Sequence, residues 1–265
     1  MVLMGMNGLD PVAESMMRWV QQQTDDRRAD YEVARRYYGG DHDTALTDRL
    51  KKFLPPRLQF RDNFMNVVVD SLSERLTVIG FEVENDAVAE WAWDLWNRNR
   101  MDYTQNVVHA ETIMLGDSYL LCDWDEENQR PRWTHQMAEM IMPHYNEASK
   151  KWIQRPHIGE EPETRLNLYY PDRVEKYVAK GGVWSKYQDE MDETWPVPWL
   201  AGDGDPLGVP LIHFKNRPMG GDFGQSEIIN VIPMQDLLNK TLIDLTMILD
   251  TLAFPQRYTL NVNHG

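Results

Sequence analysis

The sequence predicts an α+β fold from three observations. Between Asp10 and Leu115 apolar residues recur at three- and four-residue steps, the period of helices that bury one face. From Ser118 to Tyr187 the period changes to two, the mark of strands with one face on the core. Pro233 to Phe254 then returns to helical spacing in one long run. Helices, a mostly antiparallel sheet and a closing helix, rather than regular strand–helix alternation, read as α+β.

Taken in order, Asp10–Tyr38 is expected to be helical. Asp10-Pro11 joins a cap residue to a proline in the first turn, and Val12, Met16, Trp19 and Val20 share a face. Thr24–Arg28 is strongly polar, and Tyr31, Ala34, Arg35 and Tyr38 resume the spacing up to the Gly39-Gly40 stop. Asp41–Leu54 reads as mixed and exposed, with Pro55-Pro56 a hard break. Asp62–Leu76 is expected to form an amphipathic helix through Phe64, Val67, Val68, Leu72 and Leu76. Thr77–Val83, carrying Val78, Ile79, Phe81 and Val83, reads as a short strand. Asn85 or Asp86 can cap a further helix presenting Val88, Trp91, Leu95 and Trp96, and Asp102–Leu115 forms another that stops at Gly116.

Ser118–Trp124 is expected to be a strand, with Asp125-Glu126-Glu127-Asn128 turning into Arg132–Thr134. Met140–Tyr145, Trp152–Arg155, Leu166–Tyr170, Val174–Ala179 and Val183–Tyr187 read as further strands, with Gly181-Gly182 a tight hairpin turn. Trp195–Gly208 is irregular, and Val209–Phe214 is a last strand. Gly220, Gly221 and Gly224 then lead to Pro233, whose missing N–H fits the first turn of a helix. That helix, ended by Pro255, spans roughly 33 Å at 1.5 Å per residue. Leu238, Leu242, Leu245, Leu249 and Leu252 form its apolar stripe, and a helix of this length wants partners along its side.

Composition narrows the function. The 265 residues suffice for a real core, and no apolar run approaches bilayer length. The N-terminus lacks a basic segment before an apolar one, so no secretory signal is expected. The one cysteine, Cys122, precludes an internal disulfide and suits a reducing compartment. Acids outnumber bases 42 to 27, a net charge of -15. Such a balance disfavours tight, sequence-specific nucleic-acid recognition, which needs clustered Lys and Arg. It is compatible with a channel through which DNA slides without sticking.

Candidate chemistry is sparse. Asp123 and Asp125, with Glu126 and Glu127 beside them, could offer carboxylates to Mg²⁺ or Mn²⁺, but turns between strands are commonly acidic because they are solvated. Asp203-Gly204-Asp205 lacks the ligand alternation of a calcium loop. Gly220, Gly221 and Gly224 could cradle a phosphate, yet no Lys-Ser/Thr pair follows, and a flexible joint is the plainer reading. The histidines His42, His109, His135, His144, His157 and His213 lack zinc-ligand spacing. Ser118 sits outside a nucleophile elbow, and Cys122 has no basic neighbour in sequence. Trp91, Trp93 and Trp96 do not share one helix face. Some of their rings must therefore meet something besides the chain's own core, a subunit interface being favoured over a stacking platform for single-stranded nucleic acid.

The order of several short motifs adds a resemblance. Tyr37-Tyr38-Gly39-Gly40-Asp41-His42, Asn66–Asp70 with Glu74-Arg75-Leu76 and Gly80-Phe81, and Gly116–Leu120 come first. Tyr170-Pro171-Asp172-Arg173 and Pro210–Phe214 with Asn216-Arg217-Pro218 follow. Gly-Gly-x-Phe-Gly-x-Ser-Glu-Ile and Ile-Pro-x-Gln-Asp-x-Leu-Asn-Lys close the series. Together, over roughly residues 10 to 260, they resemble the siphovirus-type portal proteins of tailed bacteriophages. The resemblance implies a non-enzymatic subunit without a cofactor, assembled as a dodecameric ring at one capsid vertex. Double-stranded DNA would pass through it during packaging by a separate terminase and during ejection, with capsid, scaffold and head-completion proteins as partners. It implies a wing-like α+β domain over residues 1–218, and a long helix towards the stem and the start of a clip over 219–265. Gly220, Gly221, Gly224 and Pro233 would lie at the junction. Portals of this type continue past the long helix, so a chain ending at Gly265 is expected to be C-terminally incomplete for the family. The alternative is a metal-dependent enzyme, a nuclease or glycosyl transferase, using Asp123 and Asp125; a head-completion component would usually be smaller.

Overall fold

A computed structural model describes residues 11–41, 62–125, 127–144, 151–154, 164–180, 183–187 and 194–253. Helix α1 (Pro11–Tyr38) ends at the expected glycines. Gly40 adopts φ +75°, and the Asp41 amide reaches back to the Arg36 carbonyl at 2.8 Å. Helix α2 (Met65–Ser73) is shorter than the expected Asp62–Leu76. Residues 62–64 stay outside the helix, where side chains of a distant helix bond the backbone of Asp62 and Phe64. The strand expected over Thr77–Val83 is also corrected: the segment is not a strand and has no strand partner among the described residues. Its side chains alternate as a strand's do, but alternation alone does not supply a pairing edge.

Asn85 caps α3 (Asp86–Arg98), accepting the Ala87 amide at 3.0 Å. Arg100, at φ 53°, turns the chain into α4 (Met101–Leu115), which Gly116 ends at φ +94°. Strands β1 (Asp117–Asp125), β2 (Arg130–Gln136) and β9 (Leu211–Lys215) form an antiparallel sheet in the order β2-β1-β9. A second antiparallel sheet runs β3 (Ile141–His144), β4 (Lys151–Gln154), β5 (Thr164–Tyr169), β6 (Arg173–Lys180) and β7 (Val183–Lys186). The region read as irregular contributes the two-residue β8 (Val197–Pro198), paired with β6. Helix α5 (Ile232–Ala253) takes Pro233 in its first turn. The chain is thus α+β.

The core explains the long α1. Its first half places Met17 and Val20 on Leu166, Leu168 and Tyr177 of the second sheet. Its second half places Tyr31 and Ala34 with Met65, Val69, Ile113, Met114 and Tyr119. One helix therefore bridges both sheets. No described helix is long and apolar enough to cross a membrane. The readings for 42–54, Pro55-Pro56, Gly181-Gly182, Pro255 and 256–263 lie outside the described residues.

Candidate functional site

The polar residues at the start of α5 anchor it. Gln235 and Asn239 are buried and sit four residues apart on one helix face. The Asp62 amide donates to Asn239 Oδ1 and the Phe64 amide to Gln235 Oε1, both at 3.0 Å, while Gln235 Nε2 donates to the Asp62 carbonyl at 2.7 Å. Four helical residues rise about 6 Å, so the two side chains, one turn apart, reach two alternate amides of the 62–64 stretch. Tyr37 of α1 adds a hydrogen bond to Asp236 at 2.9 Å. These side chains belong to the Ile-Pro-x-Gln-Asp-x-Leu-Asn-Lys motif, which therefore has a structural job: it fixes the base of the long helix.

The stripe higher on α5 is placed differently. Ile243 is buried in line with Gln235 and Asn239. Leu238 lies at the margin of exposure and Leu242 is half-buried. Leu245, Leu249 and Leu252 stand 50, 56 and 70% exposed. Their packing is not supplied by the described residues of a single chain.

The three glycines ahead of α5 differ. Gly220 has φ +80° with open space around it, and Gly221 is similarly uncrowded. Gly224 is wedged: a Cβ there would lie 2.0 Å from the Gly116 carbonyl oxygen. Around the wedge the Asn216 amide donates to the Gly116 carbonyl and the Gln225 amide to the Asn216 carbonyl, both at 2.8 Å. Ser226 Oγ donates to the Met114 carbonyl at 2.5 Å and accepts the Ile228 amide, and the Glu227 amide reaches the Ile113 carbonyl at 3.0 Å. The loop before α5 is thus stitched to the end of α4, and the conformational freedom glycine allows is left to Gly220 and Gly221.

Asp117, fully buried at the start of β1, is the centre of the stitching. It accepts from Arg27 Nη2 at 2.6 Å and the Tyr31 hydroxyl at 3.1 Å on α1. His213 Nε2 on β9 and the Gly224 amide each lie at 2.7 Å. Such a buried carboxylate is tolerable only because several donors and a cation face it. The Arg27 guanidinium also lies 3.7 Å from the Phe223 ring centroid. Burial holds the His213 imidazole below its ordinary pKa although Asp117 pulls the other way, so the neutral ring is favoured. Burial and the Asp117 charge push the Tyr31 phenol well up. A second buried acid, Glu111, takes Arg35, Ser118 Oγ at 3.0 Å and His135 Nε2 at 2.6 Å, and Arg35 also holds Glu139. Arg27, Tyr31 and Arg35 are spaced by four on α1, so one helix face locks both buried acids. Sequence reading missed this network. The only local signal was that spacing, while the acids those three side chains hold lie 76 to 104 residues away.

The other candidates resolve into local roles. Arg132 donates through Nε and Nη2 to both carboxylate oxygens of Asp123, and Asp125 caps its turn by accepting from Asn128. Hydrogen bonds from Asn128 hold the Asp125 carboxyl below its usual range. These two acids thus serve the hairpin, and among the described residues nothing around them favours the metal-enzyme reading. Asp203 accepts the Asp205 amide within a turn at Gly204, φ +90°. Burial, with Asp123 beside it, pushes the Cys122 thiol up to about 11, so it is a poor nucleophile near neutral pH. Of the tryptophans, Trp93 and Trp96 stack at 6.3 Å and meet Phe81 and Trp133, whereas Trp91 is exposed. Among the described residues no three His, Cys, Asp or Glu side chains are grouped as metal ligands would be.

Compared with known protein families, residues 18–261 match the family model described as phage portal protein, SPP1 Gp6-like. No curated protein matches the chain.

Proposed function

The chain belongs to the phage portal protein family, SPP1 Gp6-like, and from that membership we propose that it is a ring subunit of the portal vertex. In this reading a homo-oligomer, a dodecamer, surrounds a channel at one capsid vertex. Double-stranded DNA enters through it under a separate terminase, and leaves through it at ejection. Capsid or scaffold proteins contact its rim, and head-completion proteins join it to the tail. Residues 1–218 form the wing, and 219–265 carry the chain to the stem and the start of the clip. Gly220, Gly221, Gly224 and Pro233 make the junction. The subunit does no bond chemistry and needs no cofactor.

The observation that carries this reading is α5. Its base is bonded to the wing by Gln235, Asp236 and Asn239, yet Leu245, Leu249 and Leu252 stand exposed beyond it. A contiguous apolar stripe on an anchored helix is stabilised by burial at roughly 25 cal/mol per Å², and neighbouring copies would supply that burial. The net charge of -15 supports the channel role, since an acidic wall offers phosphates no binding minimum.

Leu245→Asp tests the packing. Leu245 is half exposed in one chain, so the stability of the isolated subunit should change by no more than about 0.5 kcal/mol. Assembly, followed by light scattering, should fail because a charge enters a buried seam. An unchanged oligomer mass would overturn the assignment of this stripe.

A further inference from the structure

Helix α5 exposes a second apolar row beside the leucine stripe. Met234, Leu237 and Ile248 stand 71, 64 and 56% exposed, and Thr241 between them is exposed too. At about 100° per residue this row adjoins Leu238, Leu245, Leu249 and Leu252, and it faces away from the buried Gln235, Asn239 and Ile243. Met234, Leu238, Thr241, Leu245, Ile248 and Leu252 follow one another at steps of four and three, the alternation by which helices pack along a shared seam. Leu237 and Leu249 widen that seam, one on each side, beyond the strip that a single partner helix covers. None of these eight residues is charged.

Resting on the ring reading above, we infer that the two rows are mates: the leucine row of one copy packs against the Met234, Leu237, Thr241 and Ile248 row on α5 of the next copy. Length and charge select that partner. The seam rises roughly 27 Å from Met234 to Leu252. Among the described helices, α2 has only nine residues, about 13 Å. Helix α1 is long enough, but it turns Arg18, Asp25, Asp26, Arg28, Asp30 and Glu32 outwards. Helix α3 exposes Asp86, Glu90 and Asp94, and α4 exposes Asp102 and Asn106. An apolar seam set against any of these would bury charge or polar groups without partners. Copies that each carry -15 repel one another, and an uncharged surface is where that repulsion is least. Rotation about a ring axis keeps neighbouring α5 helices parallel and sets two unlike rows together, the heterologous contact that a closed ring repeats. A seam open on both sides gives each α5 two neighbours, as a ring requires.

Charged variants of the chain test the pairing, with mass followed by light scattering. Leu245 and Ile248 are 50 and 56% exposed, so Leu245→Lys and Ile248→Asp should leave the circular dichroism spectrum of the subunit unchanged. Each variant alone should lower the assembled fraction at least tenfold. Mixed one to one, they should assemble to the wild-type mass, because the lysine of one copy meets the aspartate of the next and an even-numbered ring closes with the two alternating. Leu245→Lys mixed with Leu245→Asp should stay unassembled, since two leucine rows do not face each other. Assembly of Ile248→Asp alone, failure of the first mixture or rescue in the second would overturn this pairing and leave the ring reading intact. A wild-type chain that stays monomeric at every concentration would overturn both.

Discussion

Gly224→Ala would place a methyl group 2.0 Å from the Gly116 carbonyl oxygen and 2.7 Å from the Asn216 amide nitrogen. Both obstacles are backbone, so neither can turn aside as a side chain would. Relief requires Gly116, Asn216 and the Gly224–Gln225 backbone to move apart from one another. That movement breaks the bonds from Asn216 to Gly116 and from Gln225 to Asn216, each 2.8 Å, and the 2.7 Å bond from Gly224 to Asp117. Two neutral bonds at about 1 kcal/mol each and one to a charged group at about 2 sum to about 4 kcal/mol. Few single substitutions cost that much. Urea unfolding followed by circular dichroism would measure it, with two controls. Gly221→Ala, whose Cβ meets nothing nearer than 3.9 Å, should change stability by less than about 0.5 kcal/mol. Gly220→Ala keeps open space but strains φ +80°, for about 1–2 kcal/mol. If Gly224→Ala were as mild as Gly221→Ala, the wedge would be refuted and Gly224 would be a free joint.

Two further substitutions probe the anchors. Asn239→Ala leaves the Asp62 amide without its acceptor and should cost about 1–3 kcal/mol. Hydrogen exchange at Asp62 should quicken with it, and unchanged exchange would show that the clamp is not made there. His213 is held neutral by burial, facing Asp117, with Lys215 and Arg27 also disfavouring its charge. Its folded pKa therefore lies below the unfolded value of about 6.5, so the unfolded state takes up the proton first and stability falls with pH below that value. His213→Gln has no such titration. The stability gap between wild type and variant should narrow from pH 8 to pH 5.5, and a constant or widening gap would contradict the burial account.

Much of the fold was legible because its signals are local. The glycine stop at Gly116, the Asn85 cap, the strand periods and Pro233 in a first turn each depend on neighbours a few residues away. What failed was tertiary. Thr77–Val83 has a strand's alternation but no pairing edge within the described chain, and residues 62–64 lose their helix to side chains more than 170 residues away. At the site, the motif at the start of α5 was visible while its mechanics were not. Gln235 and Asn239 stand out in the sequence only as members of the motif, because nothing local says that two polar residues on a helix will be buried against a backbone. Asp117 was read only within Gly116–Leu120, since its donors come from α1, β9 and the glycine loop. The leucine stripe was readable as a face, but its exposure in one chain required coordinates.

Negative-stain imaging of the purified chain, with mass by light scattering on the same sample, tests the ring account most directly. The account predicts closed rings with a central hole and a mass that is a whole multiple of 31.1 kDa. A monodisperse monomer that persists as concentration rises would contradict it.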